Sequence, residues 1–141
     1  SNTPNIVGTF QNLPNLKDIA IGWNSLTIIP TNFIKTGSTR LESISLTFNA
    51  IISVEPGAFD IVEGMRINMT SNSLSTLDED TWGPFLVGGV LLYATDNPLS
   101  CGCDIAWLFK EEQSLGQVSK DTTCSDGENI YNLDPSIFDF C

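Results

Sequence analysis

Four asparagines recur at nearly constant spacing: Asn24, Asn49, Asn72 and Asn97, separated by 25, 23 and 25 residues. Aliphatic columns keep step with them. Five residues before each asparagine stand Ile19, Ile44, Ile67 and Leu92, and three before stand Ile21, Leu46, Met69 and Ala94. Two after stand Leu26, Ile51, Leu74 and Leu99. Five after stand Ile29, Val54 and Leu77, and then Gly102, where the column breaks. An aromatic follows that last column: Phe10 after Ile6, Phe33 after Ile29, Phe59 after Val54 and Trp82 after Leu77. Polar and apolar columns sharing one long period require a single structural unit used repeatedly.

The columns spell L-x-x-L-x-L-x-x-N-x-L-x-x-L, the leucine-rich repeat, within its usual length of about 20–29 residues. The x-L-x-L-x part alternates with period two, so it reads as a short strand with its aliphatics inward. The expected fold is an α/β leucine-rich repeat solenoid with a curved parallel sheet of about four strands. At ~4.8 Å per strand that sheet is only ~15–20 Å across. Each asparagine falls where the chain leaves the strand, and its amide can satisfy backbone groups of its own turn and of the adjacent coil. Leaving such groups buried and unpaired costs ~1–3 kcal/mol, so the Asn ladder reads as structural rather than as a binding site. The column eight before each asparagine is half lost, with Leu16 and Leu41 followed by Gly64 and Gly89, which leaves the strand start in coils three and four open. Residues 1–100 are read as repeats and 101–141 as a cysteine-rich C-terminal cap. Counting back from Ile6 puts a ladder position at Ser1 without its strand. An uncapped solenoid end exposes its core, so at least one further repeat and an N-terminal cap are expected upstream.

In this register the outward residues of the strands line the concave face. They are Asp18, Ala20 and Gly22; Ser43, Ser45 and Thr47; Arg66, Asn68 and Thr70; Leu91, Tyr93 and Thr95. Trp23 and Phe48 hold equivalent positions just beyond the first two strands. They form either one exposed aromatic patch, of the kind that dominates interaction hot spots, or packing beneath a neighbouring loop. The candidate binding face is Trp23, Ser45, Thr47, Phe48, Arg66, Thr70 and Tyr93. Asn68-Met69-Thr70 is an N-glycosylation sequon, and a glycan on Asn68 would crowd that face. Asp78-Glu79-Asp80 is too small a set for calcium, which takes about 6–8 oxygens. The triplet suits the start of a helical turn instead.

The chain carries 6 basic and 17 acidic residues, a formal charge of −11, and no histidine. Such a balance opposes nucleic-acid binding, which needs clustered Lys or Arg. The missing histidine removes the commonest general base and a common zinc ligand. No run approaches the ~20 apolar residues of a membrane span. Neither a catalytic pair nor a cofactor motif is evident. The cysteines, Cys101, Cys103, Cys124 and Cys141, all lie in the last 41 residues. That even, clustered count reads as a local disulfide framework and hence an oxidising compartment. Four cysteines allow three pairings, and a Cys101–Cys103 bridge is strained by its short loop. Zinc on the four thiolates fits the C-x-C spacing poorly, so no metal is expected. "CDIAWLFKEE" reads as a short helix over about 104–112, with Asp104 able to cap it and Glu111 and Glu112 unfavourably at its end.

"NPLSCGCDIAWL", "TTC" and "FDFC" together resemble the C-terminal flanking cap of extracellular leucine-rich repeat proteins. The resemblance implies pairing first to third and second to fourth, Cys101–Cys124 and Cys103–Cys141. "CGCDIAWLF", "NLDPSIFDFC" and the preceding "STLDEDTWGPF" are further similar to a group of secreted arthropod leucine-rich repeat proteins that includes a non-catalytic subunit of a shrimp luciferase. This implies a secreted protein without catalysis of its own, binding a protein partner, either as companion to a secreted enzyme such as a luciferase or in extracellular innate-immune or cell-surface recognition.

Overall fold

The computed structural model describes residues 10–110 and 112–141, without the side chains of residues 112 and 113. The expectations at Ser1, Ile6 and Glu111, and at the Glu112 side chain, fall outside this description. Among the described residues there are six short strands: β1 Asp18–Ala20, β2 Ile28–Ile29, β3 Ser43–Ser45, β4 Ser53–Val54, β5 Arg66–Asn68 and β6 Leu91–Tyr93. Four of them make a parallel sheet in the order β1-β3-β5-β6. Its register aligns Asp18 with Ser43, Arg66 and Leu91, and Ala20 with Ser45, Asn68 and Tyr93. β2 and β4, from the first two coils, pair in parallel with each other. Between the two sheets lies one apolar core containing the aliphatic columns and the aromatics Phe33, Phe59 and Trp82. Burying one such Leu, Ile or Phe side chain contributes ~1.5–3 kcal/mol.

The asparagine amides join the coils. Asn97 Nδ2 donates to the carbonyls of Ala94 and Thr95 in its own turn and of Met69 in the coil before, at 3.1, 3.2 and 3.0 Å. Its Oδ1 accepts from the Leu74 amide at 3.0 Å. Asn72 repeats the pattern, donating to Met69, Thr70 and Leu46 and accepting from Ile51. Asn49 repeats it once more, donating to Leu46, Thr47 and Ile21 and accepting from Asn24 and Leu26. Asn72 and Asn97 are buried, Asn49 is half-buried and Asn24 is exposed. Among the described residues, Asn24 donates to the Gly22 carbonyl of its own turn.

The half-lost column is filled one residue later. Met65 and Val90 are buried where Leu41 is buried in the second coil. Gly64 and Gly89 precede them with φ of +85° and +86°, a left-handed turn that glycine adopts without steric cost. That turn lets the following residue point inward, and β5 and β6 still start in register with β3.

The third coil carries helix α1, Glu79–Val87, whose Thr81, Trp82, Phe85 and Leu86 are buried. Glu79 and Asp80 occupy its first turn, next to the positive end of the helix dipole. After the last ladder residue the chain forms a 3-10 turn, Cys103–Ile105, and two helical segments, α2 Ala106–Lys110 and α3 Glu112–Gly116. Helical structure is described on both sides of residue 111; it begins in a tighter turn and reaches Gly116, beyond the end expected at 112. The extension buries Ser114 and packs Leu115 against the core. The segment after α3 returns to the sheet. Val118 bridges Leu92 in parallel, Leu92 donates to the Gln117 carbonyl, and Ser119 donates to the Leu92 carbonyl.

The gradient of burial along the ladder predicts a gradient of cost. Asn72→Ala orphans buried groups in two coils and is expected to lower unfolding free energy by roughly 2–4 kcal/mol. Asn24→Ala is expected to cost less than about 1 kcal/mol, because its partners stay open to water. Denaturant titration of the two variants checks this.

Candidate functional site

The outward face of the four-stranded sheet follows from the period of two. One row is Asp18, Ser43, Arg66 and Leu91, and the next is Ala20, Ser45, Asn68 and Tyr93. Beyond the strands run Gly22, Thr47, Thr70 and Thr95. Ser45, Thr47, Asn68, Thr70 and Tyr93 are half-buried and Arg66 is exposed. The Ser43 hydroxyl donates to Asp18 Oδ1 at 2.6 Å, and the Thr95 hydroxyl donates to Asp121 Oδ1 at 2.9 Å. Among the described residues, no carboxylate is paired with the Arg66 guanidinium. Asn68 Oδ1 accepts from the Thr70 amide at 3.0 Å.

Trp23 and Phe48 lie against each other, ring centroids 4.0 Å apart and planes within 6°. Trp23 is 77% exposed and Phe48 is 44% exposed. Both residues have left-handed backbone, with φ of 57° and 56°. The equivalent positions in the next coils, Ser71 and Asp96, share it at 59° and 58°. The conformation is uncommon for any residue with a Cβ and rare for bulky ones. It is held by a ladder continuing past the strands: Trp23 N to Thr47 O, Phe48 N to Thr70 O and Ser71 N to Thr95 O, at 3.0–3.1 Å. Ser71 Oγ donates to Asp96 Oδ2 at 2.7 Å. This rim is only partly visible in the sequence. The aromatic pair shows in the register; the shared backbone conformation does not, because neither Trp nor Phe signals it as Gly or Asn would.

Residues 101–141 are crosslinked by disulfides Cys101–Cys124 and Cys103–Cys141. They close loops of 23 and 38 residues, each contributing roughly 3–4 kcal/mol in the chain-entropy model. Leu99 bridges Cys124 in parallel, so the first disulfide lies on the edge of the last coil. Trp107 Nε1 donates to the Leu77 carbonyl at 2.9 Å, laying its ring over that coil. Asp104 does not cap the helix after it. Its carboxylate turns back to accept from Gly102 N and Ser100 Oγ, both at 3.0 Å, and so pins the loop between the two cysteines. Among the described residues, no group of three acidic or cysteine side chains is placed to hold a metal, and no helix is long and apolar enough to cross a membrane.

Burial pushes the Asp104 carboxyl up, but hydrogen bonds from the Ser100 hydroxyl and the Gly102 amide outweigh it and hold the group below its ordinary value. A depressed folded value means stability that is present above the unfolded value of about 3.9 and lost as pH falls through the folded one. The thermal midpoint of the wild type is expected to fall more steeply below about pH 4 than that of Asp104→Asn. Melting curves across that range check it.

No protein-family model matches the chain. It is 33% identical over 134 residues to the Oplophorus-luciferin 2-monooxygenase non-catalytic subunit of Oplophorus gracilirostris, an alignment covering 93% of this chain and 37% of that protein. It is 32% identical over 97 residues to Toll-like receptor 9 of Mus musculus, covering 68% of this chain and 9% of the receptor. It is 27% identical over 126 residues to leucine-rich repeat and fibronectin type III domain-containing protein 1 of Danio rerio, covering 82% and 21%. The chain therefore spans little more than a third of the first relative and less of the others. With the repeat columns, the amide ladder and these likenesses taken together, the chain is a leucine-rich repeat protein, similar over nearly its whole length to the non-catalytic subunit of the Oplophorus enzyme.

Proposed function

We propose that this chain belongs to a secreted, solenoid-shaped binding protein that serves as companion to a secreted enzyme. In this reading residues 1–100 carry the binding face and residues 101–141 close the solenoid. The observation that carries it is the face itself: Ser45, Thr47, Arg66, Thr70 and Tyr93 on a coil-to-coil hydrogen-bonded frame, with Trp23 and Phe48 at its rim. A rigid, broad surface of small polar residues with an aromatic anchor suits a protein partner better than a small substrate, which needs a deep pocket. The likeness to a non-catalytic subunit supports the companion role. The disulfides support an oxidising compartment. Asn68 is a glycosylation acceptor in this reading, and a glycan there restricts the partner to one edge of the face. The likeness to Toll-like receptor 9 favours a second reading, that of a recognition receptor.

The full-length protein purified under mild conditions from its native fluid is expected to bring down one partner in stoichiometric amount. Thr70→Arg with Tyr93→Ala, on the face, is expected to abolish that. Val87→Arg, at an exposed position of α1, is expected to leave it unchanged. Equal retention of the partner by both variants would sink the proposed face. A partner without enzymatic activity, or one whose activity survives equally well alone, would remove the companion role.

A further inference from the structure

Resting on the protein-binding reading, we propose that the rim Trp23–Phe48–Ser71–Asp96 is a docking strip for a basic partner segment. One arginine stacks on the Trp23 indole and a second basic side chain, four residues away in an extended stretch, pairs with the Asp96 carboxylate. Four observations lead there.

Phe48 covers one face of the Trp23 indole, yet the indole remains 77% exposed, so its other face is open to water. An open indole face carries the negative side of the ring quadrupole and attracts a cation, and a planar guanidinium stacks on it best.

The strip ends in negative charge. Asp96 is exposed and bonded to the Ser71 hydroxyl, and Asp121 is bonded to the Thr95 hydroxyl one row inward. Among the described residues neither carboxylate has a cationic partner. Lys120, beside Asp121 in the chain, places its ammonium 4.8 Å from the centre of the Tyr131 ring instead. With a net charge of −11, the molecule as a whole draws a basic partner.

The spacing is set by the fold. Trp23 and Asp96 are three coils apart, about 14 Å at ~4.8 Å per strand. An extended chain covers about 13 Å in four residues, and residues i and i+4 of such a chain face the same side.

The strip is rigid. All four residues share one left-handed backbone conformation, fastened to the next coil by main-chain hydrogen bonds as far as Ser71. A partner therefore meets it without first ordering a loop, a cost that binding otherwise bears.

The probes are seven-residue serine peptides with blocked ends, carrying two arginines four residues apart, two adjacent arginines, two glutamates, or two leucines. Binding to the disulfide-intact protein is read by NMR from the Trp23 indole N–H and the Asp96 amide. The spaced-arginine peptide is expected to shift both signals at millimolar concentration, more weakly as salt rises, and to outbind the adjacent-arginine peptide. Trp23→Asn, which keeps a residue tolerant of the left-handed backbone, is expected to weaken binding about two- to fivefold. Asp96→Asn is expected to remove the Asp96 shift and most of the salt dependence. A glutamate or leucine peptide that shifts Trp23 as strongly overturns the proposal. So does a spaced-arginine peptide that leaves both signals unmoved. Arg66→Ala with Tyr93→Ala separates the two readings: binding lost there and kept in Trp23→Asn places the cation site on the sheet face, ending the rim proposal while leaving the protein-binding reading intact.

Discussion

The asparagine side-chain amide is the interaction on which the rest of this molecule depends. A coil of about two dozen residues cannot bury its own aliphatics, and a parallel strand of three residues cannot hold its own register. Each amide addresses both problems. Its nitrogen gathers two carbonyls of its own turn and one from the coil before, and its oxygen takes an amide of that preceding coil. The turn is thereby fastened at a fixed height above its neighbour, and the three-residue strands fall into alignment from Asp18 to Leu91. Coils of unequal length are tolerated, because the surplus or deficit is absorbed away from the sheet, where the third coil forms α1 and the second does not.

Much of this was legible in the columns, because burial and amide bonding both select residue type at fixed positions. Ile44, Ile67 and Leu92 are buried at the strand centres and Leu26, Ile51, Leu74 and Leu99 beneath the turns, as the period requires. What escaped the sequence has specific causes. Gly64 and Gly89 looked like gaps in a column; a left-handed glycine instead postpones the inward residue by one, to Met65 and Val90. Asp78-Glu79-Asp80 suggested only the start of a helical turn, yet α1 runs on to Val87 through Gly83 and Pro84, both poor helix residues. Burial of Trp82, Phe85 and Leu86 on one side outweighs that local preference. Asp104 was read as a helix cap, yet the loop tied down by Cys101 and Cys103 offers its carboxylate nearer donors at Ser100 and Gly102.

The rim shows how structure and candidate function share one geometry. The position before each ladder asparagine must turn left-handed so that the amide can reach back. Any residue there bears the steric cost, which is ~1–2 kcal/mol for residues with a Cβ. Ser71 and Asp96 offset part of it with a side-chain hydrogen bond. Trp23 and Phe48 stack on each other instead, and Trp23 remains largely in water. Large exposed aromatics at a strained, rigid position contribute little to folding that smaller residues would not. In the proposed reading, their placement on an acidic surface gives this part of the molecule its binding character.

The amide ladder is tested most directly by native-state hydrogen exchange at the Ile51 and Leu74 backbone amides. Both lie outside the strands, and each donates to an asparagine side chain of the following coil. If the ladder holds the coils together, these two amides exchange only through global unfolding, as slowly as the strand amide of Ile44. Exchange at the rate of exposed turn amides would contradict the account, showing that the coils are held by the apolar core alone.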